Sequence, residues 1–446
     1  MKSYTILIAS IAALGGLLFG FDTAVIAGTL QFLKPIFHLS DGQLGVVVAA
    51  TSLGCIPGAL FAGSLADRFG RKKMMIATAI LYIITAIGSG ICGSYAELVI
   101  YRIVGGLAIG MASTLAPIYI SEIAPSSVRG RLGMLQQLAI VLGILISYLS
   151  NYLIVNASFS FLNSTNFWRY MLGAAAIPSL AFFLLLLLVP ESPRWLIAQN
   201  NITLADKIFS KIYSGKTAAE QIKKIQESLT SRAEKSIKEI FSSKYKKIVI
   251  IGVLFAAFAQ LTGINIIFYY APLIFEKTKV GGSVLFQTML TGVVNLVFTL
   301  LAFPLIDRVG RKKLLLYGSM VMGICMTILG WFFLENKLES YFILALIFIY
   351  IGGFACSWGA VLWVYVAEIF PNRIRGTATS IAVFGNWTAN TIVSLTFPSM
   401  LSGLGGATTF FIYGLINLLL ILFVKKYIFE TKGVELEKME TMYEKQ

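Results

Sequence analysis

Twelve apolar runs, each about 20 residues long or more, constrain this chain more than any other feature. They lie near 5–33, 44–66, 74–93, 97–120, 132–155, 168–190, 248–275, 283–306, 314–334, 341–367, 377–401 and 407–428. A helix of about 20 residues crosses the hydrocarbon core of a bilayer, and one water-soluble core could not bury so many. With 57% hydrophobic residues in 446, the chain reads as an all-α membrane protein of twelve transmembrane helices. The first run begins Met1-Lys2 and carries small residues at Ala12-Ala13, as a signal peptide would. It continues to Leu33, too long for a signal h-region, and so reads as the first helix.

A net charge of +15 could suggest nucleic acid, but its distribution excludes that. If the amino terminus is cytoplasmic, thirty of the 36 Lys and Arg fall on inner segments. This is the positive-inside bias; it places both termini in the cytoplasm of a multi-pass plasma or inner membrane protein. Cys55, Cys92, Cys325 and Cys356 lie in or at the ends of spans without CxxC spacing, and read as small buried residues rather than metal ligands or a disulfide. His38, beside Pro35 and Asp41, reads as a solvated loop residue. No cofactor, metal or catalytic constellation is expected, and a monomer in the lipid bilayer is.

One acid, Asp22, stands inside the first span. A carboxylate there costs about 2.5 to 3.5 kcal/mol on insertion scales, so a partner or a titration is expected.

An internal repeat organises the rest. Asp67-Arg68-Phe69-Gly70-Arg71-Lys72-Lys73 returns as Asp307-Arg308-Val309-Gly310-Arg311-Lys312-Lys313. Glu122-Ile123-Ala124-Pro125 with Arg129-Gly130 returns as Glu368-Ile369-Phe370-Pro371 with Arg375-Gly376, and Glu191 with Arg194 has a weaker echo at Glu430. The chain therefore divides into six-helix halves, 1–190 and 248–428, with a linker at 191–247 and a tail at 429–446. Parallel repeats of this kind place a substrate site at their interface near the bilayer midplane. Guanidinium groups grip carboxylates in bidentate fashion, so Asp67, Arg68, Arg71, Glu122, Arg129, Glu191, Arg194, Asp307, Arg308, Arg311, Glu368, Arg375 and Glu430 read as an inner charge latch. It would pair the halves in one conformation and part in the other. In the linker, Leu204, Ile208, Ile212, then Ile222, Ile225, Leu229, then Ile237, Ile240, Phe241 recur at helical spacing, which predicts two to four short amphipathic helices.

Across nearly the whole chain the motifs resemble the sugar porter family of the major facilitator superfamily. They are Asp67 to Lys73, Tyr101-Arg102-Ile103-Val104-Gly105-Gly106, Pro190-Glu191-Ser192-Pro193-Arg194-Trp195, and Gln260-Leu261-Thr262-Gly263-Ile264-Asn265 through Tyr269-Tyr270. The nearer likeness is to bacterial proton-coupled pentose and hexose symporters of the xylose type; animal glucose facilitators are more distant. The resemblance implies two pseudo-symmetric halves in the major facilitator fold. It implies that Gln137, Gln260, Asn265, Asn295, Trp358 and Asn386 contact sugar, that Tyr269 and Tyr270 form an external gate, and that Arg102 pairs with Asp22. Three departures stand out: Ala259 where many members have a second Gln, Ala360 and Phe429 where Pro is usual. The sixth span also lacks the acid that some proton-coupled members carry.

The chemistry of a monosaccharide supports such a site independently. Its hydroxyls donate and accept, and its C–H faces are apolar, so neutral amides beside aromatic rings suit it. The spans supply Gln136, Gln137, Gln260, Asn265, Asn295, Asn386 and Asn390, with Trp358, Trp363 and Trp387. For the acid, burial favours the neutral form and a nearby guanidinium the charged form. Exchanging the Arg102 pair for a protonated Asp22 would make a proton switch. The glycine runs Gly15-Gly16 with Gly20 and Gly105-Gly106 with Gly110 read as close helix packing rather than phosphate loops. The expectation is a proton-coupled monosaccharide symporter, not an enzyme. The alternatives are a passive facilitator, a transport-inactive sugar sensor or an exporter of other metabolites. External sequons begin at Asn156 and Asn163.

Overall fold

A computed structural model describes residues 3–125, 129–157, 161–213, 215–230, 243–278, 282–337, 341–370 and 374–432. The first half holds α1 (Ser3–Ile36), α2 (Asp41–Phe69), α3 (Arg71–Ile91), α4 (Tyr95–Ile123), α5 (Arg129–Asn156) and a sixth span broken at Ala175 into α6 (Phe167–Ala174) and α7 (Ala176–Leu188). Three short helices follow: α8 (Pro193–Ala198), α9 (Ile202–Ile212) and α10 (Gly215–Thr230). The second half holds α11 (Ser243–Leu261), α12 (Ile264–Thr278), α13 (Val284–Val309), α14 (Arg311–Leu334), α15 (Tyr341–Phe354), a π-helical turn at Ala355–Gly359, α16 (Ala360–Ile369), α17 (Arg375–Gly403) and α18 (Gly405–Tyr427).

Eleven spans among the described residues are long and apolar enough to cross a membrane. The twelfth is α17. Its amides and hydroxyls, among them Asn386, Asn390 and Ser394, lower its hydropathy, and these three are buried inside the protein. Local chemistry sets the boundaries. Ser40 and Gln43 form a reciprocal capping box at the start of α2. Gly70 and Gly310, at φ 102° and 93°, make the reversals from α2 to α3 and from α13 to α14, a conformation that glycine adopts without steric cost.

Glycines also let backbones touch. In the first half, α1 lies on α5 and α2 on α4. A Cβ on Gly20 would collide with the Ile140 carbonyl, and one on Gly143 with that of Leu17. Gly54 faces the carbonyl of Ile103, Gly58 that of Leu107, Gly106 that of Thr51 and Gly110 that of Cys55 in the same way. The first half is thus built from two glycine-locked pairs, α1/α5 and α2/α4. Between the halves, α2 meets α17, α5 meets α13 and α1 meets α12.

In the linker, α9 buries Ala205, Ile208, Phe209 and Ile212. The face is rotated by one residue from the sequence reading, and Leu204 is exposed, because Ala205 and Phe209 complete the i, i+3, i+4, i+7 stripe. Ile237, Ile240 and Phe241 lie outside the described residues. The four cysteines are free; Cys356 is half-buried and the other three are buried. His38 is exposed in the turn after α1, at φ 49°.

Candidate functional site

A cavity of ≈ 740 Å³, mouth included, lies between the halves. The first half contributes Phe19, Gly20 and Thr23 from α1 and Gln137, Ile140, Val141 and Ile144 from α5. The second contributes Gln260, Ile264, Asn265, Phe268 and Tyr269 at the α11–α12 break, Asn295 and Thr299 from α13, Phe354, Ala355 and Gly359 at the π turn, Leu362 and Trp363 from α16, and Asn386, Trp387 and Asn390 from α17. Two local irregularities open this wall. Gly263, at φ 94°, ends α11, and the π turn interrupts the tenth span; such turns are frequent at functional sites.

The amides are held by one another. The Asn265 side chain donates to Gln260 Oε1, and Asn390 Nδ2 donates to the same oxygen at 3.3 Å. Asn386 is fixed by donation to the Ala256 carbonyl at 2.9 Å. The indole N–H of Trp387 is buried without an acceptor. Amides with aromatic rings between them offer donors, acceptors and apolar faces, a chemistry that suits a small polyhydroxylated molecule.

Asp22 stands on α1 directly before Thr23, which lines the cavity. Arg102 Nη1 donates to Asp22 Oδ2 at 3.0 Å and to the Asp22 carbonyl at 3.3 Å. The guanidinium is nearly sealed, with a side chain 3% exposed, whereas that of Asp22 is 18% exposed. This ion pair joins α1 to α4, and so bridges the two glycine-locked pairs. Among the described residues no cluster of His, Cys, Asp and Glu could hold a metal ion.

Residues 8–443 match the family described as sugar (and other) transporter. The chain belongs to that family. The transporter is 40% identical to the arabinose-proton symporter of Bacillus subtilis (strain 168), over 99% of this chain and 95% of that protein. It is 38% identical to the D-xylose-proton symporter of Escherichia coli (strain K12), over 99% and 96%. The fold matches the inward open conformation of the xylose transporter XylE from E. coli with a TM-score of 0.86 at 38% identity, covering 98% of this chain and 100% of that one. It matches the proton:xylose symporter XylE bound to 6-bromo-6-deoxy-D-glucose with a TM-score of 0.82 at 37% identity, covering 99% of each chain. Two six-helix halves of the major facilitator fold are therefore the architecture of this transporter.

Within that frame the geometry revises several residue assignments. Trp358 is fully buried behind the wall, donating to Ser319 Oγ at 2.8 Å and stacked on Phe255. Trp363, one turn and a residue further on, lines the cavity instead; five residues along a helix turn the side chain by about 140°. Gln136 is buried against Gly16, on the α1 side of α5, while its neighbour Gln137 faces the cavity. Tyr269 lines the cavity, but Tyr270 donates to the Ser394 carbonyl at 2.7 Å, inside its own half. Among the described residues, two hydrogen bonds that cross between the halves have donors without a sequence signal. Tyr148 donates to the Phe268 carbonyl at 2.6 Å, and Ser52 to Asn390 Oδ1 at 2.7 Å. Thr23, Phe19, Thr299 and Phe354 were likewise without a sequence signal, since hydroxyl and phenyl groups are common on every span.

The charged motifs form the same network twice. Arg71 grips Glu122 through Nε and Nη2, both at 3.0 Å, and bridges to Asp67 at 2.7 Å. Glu191 accepts from the backbone N–H groups of Arg71 at 2.9 Å and Lys72 at 3.0 Å, while the Ser192 hydroxyl donates to Glu122. In the second half Arg311 bonds Glu368 at 3.1 Å, Glu430 accepts from the N–H groups of Arg311 and Lys312, and the Thr431 hydroxyl donates to Glu368. These contacts join helices of one half, not the two halves to each other. Arg68 lies over the Phe69 ring, and Arg194 and Arg308 flank the networks in sequence. The side chains of Arg129, Arg375 and Asp307 lie outside the described residues. Phe429, where Pro is usual, donates its N–H to the Tyr365 hydroxyl at 3.2 Å, a bond that Pro could not make.

Proposed function

We propose that this transporter is a proton-coupled monosaccharide symporter that imports a pentose or hexose by alternating access. The observation that carries the reading is the part-buried Asp22–Arg102 pair, next along α1 to Thr23 of an amide-walled cavity. It agrees with the relatives named for arabinose, xylose and proton symport. Both termini face the cytoplasm, because the Arg- and Lys-rich loops lie on that side.

Sugar enters between the halves and is gripped by Gln137, Gln260, Asn265, Asn295, Asn386 and Asn390 against Trp363 and Trp387. Asp22 takes a proton and releases Arg102. The halves then rock to open the site inward. In the present conformation the crossing bonds, Tyr148 to Phe268 and Ser52 to Asn390, lie at the level of the cavity or outside it, and the inner charge networks are each closed on their own half. That combination fits an inward-facing state in which a latch between the halves has parted.

One proton crossing a potential of about 100 mV releases roughly 2.3 kcal/mol, enough to concentrate sugar roughly fiftyfold. The test is uptake of D-xylose, L-arabinose, D-galactose and D-glucose into proteoliposomes under an imposed proton gradient. Accumulation above equilibrium supports symport. Equilibration that ignores the gradient makes the protein a facilitator, and failure of every sugar to enter overturns the sugar reading.

A further inference from the structure

The first half holds its ion pair where two separately locked helix pairs meet, and each pair has its own hydrogen bond to the second half. Tyr148 ties α5, and with it α1, to the Phe268 carbonyl. Ser52 ties α2, and with it α4, to Asn390.

The second tie ends in the candidate sugar site itself. Asn390 lines the cavity, and its Nδ2 donates to Gln260 Oε1. Its Oδ1 accepts from Ser52 at 2.7 Å and from Ser394 at 3.1 Å. Ser52 and Asn390 are 2% and 3% exposed, so water does not compete for this bond. On the other side of Ser52 the chain has little freedom. The carbonyl of Thr51, its neighbour, abuts Gly106, and Gly54 abuts the carbonyl of Ile103, the neighbour of Arg102. A displacement of α2 at Ser52 is therefore a displacement of α4 at Arg102.

We propose that Ser52 is a positioning residue which ties the α2/α4 pair, and so Arg102, to the sugar-binding amides. Sugar that orders Gln260 and Asn390 presents the Asn390 oxygen to Ser52. The α2/α4 pair is then drawn against the second half, and the outer side closes over an occupied site. Because Asp22 belongs to the other pair, the same movement acts across the ion pair. The role assigned to the cavity rests on the symport reading; the hydrogen bond and the helix lock do not.

Hydrogen–deuterium exchange of the full chain in nanodiscs tests this, with D-xylose as the probe sugar. Ser52→Ala removes only the hydroxyl. Exchange at residues 41–52 and 390–403 is expected to rise about fivefold without sugar, the effect of one buried hydrogen bond on an opening equilibrium. Protection evoked by xylose at those residues should be lost, while α3 and α7 keep wild-type rates and Ser52→Thr restores the wild-type pattern. Wild-type exchange in Ser52→Ala overturns the proposal, and so does a rise that spreads through α3 and α7, the mark of lost packing. If xylose evokes no protection in the wild type either, the sugar reading fails for that probe, and the sugar-free comparison still decides the role of Ser52.

Discussion

Replacing Asp22 by Asn is the perturbation with the largest expected consequence for transport. The substitution keeps the shape of the side chain and an oxygen that can accept from Arg102, but removes the titratable charge. Two effects follow, of different size. Arg102, with its side chain 3% exposed and its Nη1 3.0 Å from the carboxylate, loses its counter-charge. Stripping one partner from a fully buried pair costs about 3–5 kcal/mol. Here the Asp22 side chain is 18% exposed and the backbone carbonyl at 3.3 Å still accepts. A cost of about 2 kcal/mol, that of a weakened charge-assisted hydrogen bond, is therefore expected. This lowers the melting temperature without abolishing the fold. The second effect is functional. With no proton bound and released per cycle, accumulation falls from roughly fiftyfold at about 100 mV to onefold, while exchange of internal for external sugar continues. The assay compares gradient-driven uptake and counterflow in the same proteoliposomes. Accumulation by Asp22→Asn equal to the wild type would refute proton coupling at this residue. Loss of counterflow in a folded variant would refute the separation of coupling from rocking.

Trp363→Leu should weaken sugar binding at least tenfold, because an aromatic wall of the cavity is lost, with little change in melting temperature. Trp358→Leu should do the reverse. It removes the 2.8 Å bond to Ser319 and the stack on Phe255, costing about 2–4 kcal/mol of stability; thermal unfolding and sugar titration of both variants check this. Tyr148→Phe deletes one crossing hydrogen bond and should shift the closed-outside population about fivefold toward opening, read by labelling from the external side. Cys92 caps α3 with its side chain buried, 2% exposed, and its thiol donates to the Ser89 carbonyl at 3.3 Å. It should therefore react with external maleimide at least tenfold slower than an exposed thiol. Modification at the free-thiol rate would show that this end of α3 opens to water.

The periodicity of apolar runs and the paired motifs made the architecture readable in the sequence, because both follow from the bilayer and from repetition of half the chain rather than from fine packing. Asp22 was legible for the same reason: a carboxylate in an apolar helix demands an explanation wherever the helix packs. The amides of α11, α12 and α17 stood out against hydrocarbon in the same way. Trp358 and Trp363 could not be told apart, since five residues on a regular helix differ by 140° in direction and the intervening π turn changes that angle. Gln136 and Gln137 point to different neighbours only once α1 is seen lying on α5 through Gly16 and Gly20. Ser52 and Tyr148 were hidden for a deeper reason. A hydroxyl is inexpensive in a membrane span, because it can bond back to its own helix. Its use between helices depends on a partner some 120 or 338 residues away. The amides proposed to bind sugar announce themselves by their cost in lipid, whereas the hydroxyls that bond across the halves do not, and they become visible only where two halves meet.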